Sequence, residues 1–171
     1  NDLPKKLYVI GDKGKIGQIL NNLVSNAMKF TEKGYVSCSI YGEEINENKI
    51  RLNIKVKDTG VGISKDFKKD IFKPFEQEKS YLSKKIPGTG LGLSIAKELI
   101  EKMNGNISIE SELNKGSEFS FYIELEKAEN TRECKSKKSK QAEFKENEYN
   151  LLLEEDDEIT VNIIKGIFDY D

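Results

Sequence analysis

Residues 50–64 read IRLNIKVKDTGVGIS, and the first half of that stretch decides the fold. Ile50, Leu52, Ile54 and Val56 alternate with Arg51, Asn53, Lys55 and Lys57, the period of a strand with one buried and one solvated face. The same alternation carries Asp58 to the buried face at the strand's end. A carboxylate aimed inward is costly unless something donates hydrogen bonds to it.

Two sources of those hydrogen bonds are open. The exocyclic amine of adenine is one, directly or through water, and Gly60 and Gly62 lack side chains that would keep a flat base from the backbone. The other is a local Asp-Thr-Gly turn in which the aspartate bonds nearby amides.

Upstream, Val36, Cys38 and Ile40 alternate in the same way, so the two runs predict a hairpin. Before it, Ile16, Ile19, Leu20, Leu23, Ala27 and Phe30 recur at helical spacing from Lys13 to Thr31, with Gly34 as the stop. Residues 7–10 read as a short strand. Downstream, residues 59–87 lack a sustained period and predict a long loop with a helical turn near 65–72. Leu93, Ala96, Ile100 and Met103 mark a second helix that ends at Asn104-Gly105. Strands at 107–109 and 119–125 follow, joined by a turn at Asn114-Lys115-Gly116. The expected architecture is an α/β (α+β) two-layer sandwich, with a mixed, mainly antiparallel sheet of about five strands covered on one face by helices.

The 171 residues are 36% hydrophobic and 34% charged with a net charge of -2, which argues against a nucleic-acid surface. Histidine is absent, which excludes histidine metal sites and Ser-His or Cys-His nucleophile pairs. No apolar run approaches the roughly 18 residues of a membrane helix, and NDLPKK is no signal peptide. Cys38 and Cys134 lie in unlike surroundings, so free thiols and a cytoplasmic setting are expected. Residues 1–127 form the expected domain, 128–150 a charged linker, and 151–171 a return of apolar character too short for a second domain.

On the first helix Asn22, Asn26 and Lys29 fall on one stripe roughly 60° wide beside the apolar arc. Asn26 lies near Ile19 and Phe30, and a partly buried amide needs partners. Its carbonyl oxygen suits Mg²⁺, and Lys29 one turn on suits a phosphate; an ordinary solvated face is the alternative. Gly88, Gly90 and Gly92 open the second helix, where free amides and the positive dipole end favour phosphate oxygens. The arrangement is neither a Rossmann turn nor a P-loop, since no strand closely precedes the glycines and no Walker lysine follows.

In this order and spacing, four segments resemble the ATP-binding catalytic domain of two-component histidine kinases, within the Bergerat-type ATPase superfamily. Residues 21–31 resemble its N box, 58–62 its G1 box, Phe72-Lys73-Pro74-Phe75 its F box and 88–93 its G2 box, with closing strands resembling 105–107 and 116–121. The resemblance spans about residues 5–126. It implies that Asn26 ligates Mg²⁺, Lys29 contacts phosphate and Asp58 reads adenine. Phe30, Gly60, Gly62, Ile63, Gly88, Thr89, Gly90, Leu91, Gly92 and Leu93 would complete the ATP site. Residues 64–87 would form the ATP lid, with Lys84 and Lys85 in its basic positions, where arginine is common. Pro87 stands where the family often has glycine.

The hydrolytic branch of the superfamily carries glutamate where Asn22 stands. An amide cannot take a proton from water, so the resemblance favours a kinase that passes the γ-phosphoryl group to a histidine. That histidine must come from outside this chain, and the family places it on a dimerisation hairpin preceding the ATP-binding domain. A homodimeric parent, anchored to a membrane or not, and a receiver domain or response regulator as further partner are therefore implied. A hydrolytic ATPase and a degenerate nucleotide-sensing scaffold are the competing readings. Leu151 to Phe168 resembles the first strand and helix of a receiver domain, with Glu155 and Asp156 as its acidic pair. The alternative is an amphipathic tail with an acidic helix cap. Either way this tail is expected to dock weakly if at all and to accept no phosphate.

Overall fold

The hairpin read from residues 36–58 is the centre of the sheet. The computed structural model describes residues 9–78, 88–128 and 151–153. Strand β2 (Val36–Asn46) pairs antiparallel with β3 (Lys49–Asp58), in a register running from Val36 opposite Asp58 to Asn46 opposite Lys49. Both strands outrun the alternating segments, because main-chain pairing continues through polar residues to a tight turn. There the Asn48 N–H donates to Asn46 Oδ1 at 2.9 Å.

The far edge of β3 pairs antiparallel with β5 (Gly116–Lys127), which sets Asp58 opposite Ser117. The second edge of β5 is shared. Strand β4 (Asn106–Glu112) pairs with its first half, and β1 (Val9–Ile10) with Glu126 and Lys127. At the other side of the sheet, β6 (Leu151–Leu153) lies parallel to Val36–Cys38. Among the described residues the sheet therefore has six strands, mixed but mainly antiparallel. The expected mixed, mainly antiparallel sheet of about five strands is thus observed, with the short segment Leu151–Leu153 added at its edge. An edge strand presents unpaired N–H and C=O groups, and a short extended segment can satisfy them whatever its side chains.

Among the described residues, two helices cover one face. Helix α1 (Lys13–Lys29) starts at Asp12, whose Oδ1 accepts from the Lys15 N–H at 3.1 Å. It stops two residues before the expected end, where buried Thr31 turns its hydroxyl back to the Ala27 carbonyl at 2.8 Å. Helix α2 (Gly92–Lys102) ends at Asn104, which takes the left-handed conformation (φ 54°), with the Gly105 N–H closing on the Ile100 carbonyl at 3.0 Å. The expected turn near 65–72 is a single 3₁₀ turn, Phe67–Lys69.

Ile19, Leu20 and Leu23 of α1 and Ala96 and Ile100 of α2 pack with Ile54, Val56, Phe121 and Ile123 of the sheet, all buried. Each large side chain removed from water here contributes about 1.5–3 kcal/mol before chain entropy is counted. The opposite face is polar. Arg51 bonds Glu124 across the strands at 2.8 Å and lies 4.5 Å from the Tyr122 ring centre. Cys38 is buried. No helix among the described residues is long and apolar enough to cross a membrane. Residues 7 and 8, residues 129–150 of the expected linker, the expected lid positions Lys84 and Lys85, Cys134 and the expected acidic pair Glu155 and Asp156 lie outside the described residues.

Candidate functional site

Where β3 ends at Asp58, Gly116 at the start of β5 lies close against it. Gly116 has φ 105°, and a Cβ there would collide with the Asp58 carbonyl. This close approach brings the Ser117 amide to the Asp58 carboxylate. The Gly60 N–H donates to Asp58 Oδ1 at 2.8 Å. Asp58 is 5% exposed, and burial pushes its carboxyl above the ordinary carboxylate range, with the Gly60 and Ser117 amides pulling the other way. The local-turn alternative for Asp58 is thus realised, and the carboxylate still lines a cleft.

That cleft has a volume of about 320 Å³. Its floor is the end of the sheet at Asp58, Ser117 and Phe119, and one wall is α1 at Ser25, Asn26 and Lys29. The loop after β3 is fastened across the other side. The Val61 N–H donates to the Phe30 carbonyl at 3.2 Å, the Asn114 N–H to the Val61 carbonyl at 2.7 Å, and the Ile63 N–H to Ser111 Oγ at 2.9 Å. Gly62 is required by this fastening itself, since it has φ 66° and a Cβ would strike the Glu112 carbonyl.

The mouth is formed by Gly88, Thr89, Gly90, Gly92 and Leu93, around the start of α2. Leu91 is the residue before the first turn, and its side chain makes no capping hydrogen bond. The first amides of α2 therefore keep their donor capacity and the positive end of its dipole. Lys29 stands beside this loop, where a Cβ on Gly88 would come within 2.7 Å of Lys29 Nζ. The Lys29 ammonium also lies 5.4 Å from the Phe30 ring centre. Asn26 is half-buried on the same wall, and its carboxamide hydrogen-bonds to none of the described residues.

Of the residues expected at a site, the cleft brings together Asn26, Lys29, Phe30, Asp58, Gly62, Ile63, Gly88, Thr89, Gly90, Gly92 and Leu93. Asn22, Gly60 and Leu91 stand behind its walls. Gly60 sits under the Phe30 carbonyl, with no room for a Cβ, and Leu91 precedes α2. Asn22 backs onto Gly92, where an added Cβ would lie 3.4 Å from Asn22 Oδ1, and its buried Nδ2 has no hydrogen-bond partner among the described residues.

Sequence reading missed Ser117 and Phe119 on the floor and Glu76, Gln77 and Glu78 at the mouth. Inward alternation along β5 signals the first two; nothing periodic marks the others. The Phe72–Phe75 segment contributes differently from its neighbours. Phe72 packs edge-on against Phe119 at 6.4 Å between ring centres, whereas Phe75 is 74% exposed and has φ 65°.

A buried acceptor on the floor and a lysine with uncapped helix amides at the mouth define a pocket for an elongated ligand, polar at one end and anionic at the other. Residues 11–127 match the family described as Histidine kinase-, DNA gyrase B-, and HSP90-like ATPase, and the chain belongs to that family. Among its relatives, the sensor histidine kinase GacS of Pseudomonas protegens is 43% identical over 121 residues, covering 71% of this chain and 13% of GacS. The autoinducer 2 sensor kinase/phosphatase LuxQ of Vibrio vulnificus is 37% identical over 168 residues, covering 97% of this chain and 20% of LuxQ. The chain thus spans 20% or less of the length of these two curated relatives. The solved structure of full-length ShkA in complex with AMPPNP matches with TM-score 0.55 and 34% identity, over 70% of this chain and 23% of ShkA. This is the ATPase domain of the sensor histidine kinase type, consistent with ATP binding and two-component signalling.

Proposed function

We propose that this domain binds ATP with Mg²⁺ and supplies the γ-phosphoryl group for autophosphorylation of a histidine on a dimerisation hairpin of its parent protein. The observation that carries the proposal is the pairing, in one cleft, of a buried Asp58 acceptor with Lys29 and the uncapped start of α2.

In this reading Asp58 accepts from the adenine amine, with Ile63 and Phe30 beside the base. Lys29 and the amides around Gly88, Thr89, Gly90, Gly92 and Leu93 neutralise the phosphates, and Lys84 and Lys85 add charge from the lid. The donor chemistry suits Mg²⁺. Among the described residues no cluster of His, Cys, Asp or Glu forms a protein-only cage. Mg²⁺ characteristically keeps its waters and takes one or two protein oxygens together with substrate phosphates, and the Asn26 carbonyl is such an oxygen. When bound, the ion would offset charge developing on the phosphates. The histidine imidazole nitrogen forms a bond to the γ-phosphorus as the bond to the bridging oxygen of ADP breaks, so positioning and charge neutralisation carry the step.

The hydrolytic alternative is disfavoured by Asn22, an amide that stands behind the cleft wall and cannot act as general base. The parent is read as a homodimer, working with a receiver domain or response regulator. Residues 151–171 are read as the start of a receiver domain, with Glu155 and Asp156 as its acidic pair.

Calorimetric titration with a non-hydrolysable ATP analogue, with and without Mg²⁺, tests the binding claim. Phosphotransfer to a separately supplied histidine-bearing hairpin tests the kinase claim. Binding without transfer would leave a nucleotide-sensing scaffold, and absence of binding would overturn the reading.

A further inference from the structure

Two carbonyls of the loop that opens α2 are held from the same side. The Phe75 N–H donates to the Gly90 carbonyl at 3.0 Å, and the Gln77 carboxamide Nε2 donates to the Gly88 carbonyl at 2.6 Å. No peptide bond among the described residues is cis. In a planar trans peptide the C=O and the following N–H point in opposite directions. Pinning the carbonyls of Gly88 and Gly90 toward the 75–77 segment therefore turns the amides of Thr89 and Leu91 away from it. Main-chain amides turned to the same side of a loop, as these two are, attract an anion there. The Leu91 N–H has only a long contact, 3.4 Å, to Thr89 Oγ1, and Lys29 Nζ lies beside Gly88.

We infer that Gln77 is a positioning residue for the phosphates, holding the Gly88 peptide so that the following amide faces the anion. This rests on the nucleotide reading above. The Phe75 bond comes from the main chain and any residue can make it, whereas the Gln77 bond needs a side chain with an N–H at that reach. Gln77 lines the cleft mouth but is exposed, so its replacement removes no core contact.

The test compares wild type, Gln77→Ala and Gln77→Glu in binding a non-hydrolysable ATP analogue and adenosine. A thermal melt of each variant provides the check on folding. Losing a single exposed hydrogen bond predicts about three- to tenfold weaker binding of the triphosphate in Gln77→Ala, with adenosine binding and the melting temperature unchanged. Gln77→Glu places an acceptor and a negative charge against the Gly88 carbonyl and should bind the triphosphate more weakly still. Equal losses for adenosine and triphosphate would mean a merely structural role and overturn the inference. Unchanged triphosphate binding in both variants would overturn it too. Wild type that binds neither ligand would refute the nucleotide reading itself, whereas wild-type binding with an indifferent Gln77 would refute this inference alone.

Discussion

The main chain of Phe75 is bonded to that of Gly90, N–H to carbonyl at 3.0 Å, although Phe75 itself is 74% exposed. The contact joins the end of the Phe72–Phe75 segment to the loop that opens α2. Both residues adopt the left-handed conformation, Phe75 at φ 65° and Gly90 at φ 71°. Glycine accepts that conformation without cost, whereas phenylalanine is held there by its surroundings.

Gly90→Ala should break this join. The new Cβ would lie 2.9 Å from the Phe75 carbonyl carbon and 3.0 Å from the Glu76 oxygen, both of them backbone. The left-handed conformation alone costs an L-residue roughly 1–2 kcal/mol. We expect a lower melting temperature and at least tenfold weaker binding of an ATP analogue. A variant that melts and binds like wild type would show the join to be incidental.

Asp58→Asn should remove most nucleotide affinity. The carboxylate accepts from Gly60 and Ser117 and, in the proposed complex, from the adenine amine; an amide has one oxygen for these donors. A mispaired buried contact of this kind costs about 2–4 kcal/mol. Titration calorimetry on the two proteins reads the difference directly, and equal affinities would exclude Asp58 as the base-reading group.

The same substitution separates binding from stability. Burial raises the Asp58 carboxyl above its ordinary 3.8, so the folded protein holds that proton more tightly than the unfolded chain. Its contribution to stability is therefore complete below 3.8 and declines as the pH rises through the folded-state value. Urea unfolding of wild type and Asp58→Asn across acidic to neutral pH should show the wild type losing ground to the variant as pH rises. A difference constant with pH would contradict the raised carboxyl.

Asn26→Ala should leave the fold nearly intact and remove Mg²⁺-dependent phosphotransfer. Alanine is the better helix former, and the amide bonds to none of the described residues, so no structural partner is orphaned. Circular dichroism checks the fold, and phosphohistidine formation on an added hairpin checks the transfer. The chain alone, having no histidine, should give no phosphohistidine.

Ile100→Ala probes how α2 is carried. Ile100 is fully buried between helix and sheet, and truncations of this size cost about 2–5 kcal/mol. Since α2 presents the cleft mouth, binding of the ATP analogue should weaken together with the urea midpoint, although Ile100 does not line the cleft.

What sequence alone determined were the features carried by local periodicity and local chemistry. Ile50 to Val56 specify a strand and the side on which Asp58 lies, since a one-residue slip would expose every apolar side chain. Ile19, Leu20 and Leu23 specify the buried stripe of α1, and with it the neighbouring wall at Asn26 and Lys29. Asn104 and Gly105 specify where α2 stops. Only the tertiary structure decided that Ser117 donates to Asp58, that Phe72 packs on Phe119, that Asn22 stands behind Gly92, and that Gln77 reaches Gly88. It also decided that Leu151–Leu153 adds a sixth strand beside Val36–Cys38. These contacts join residues from different elements across strand register, loop path and helix docking, and no repeat along the chain encodes such distances. Periodicity tells which side of an element is buried; what it meets there depends on how the elements pack.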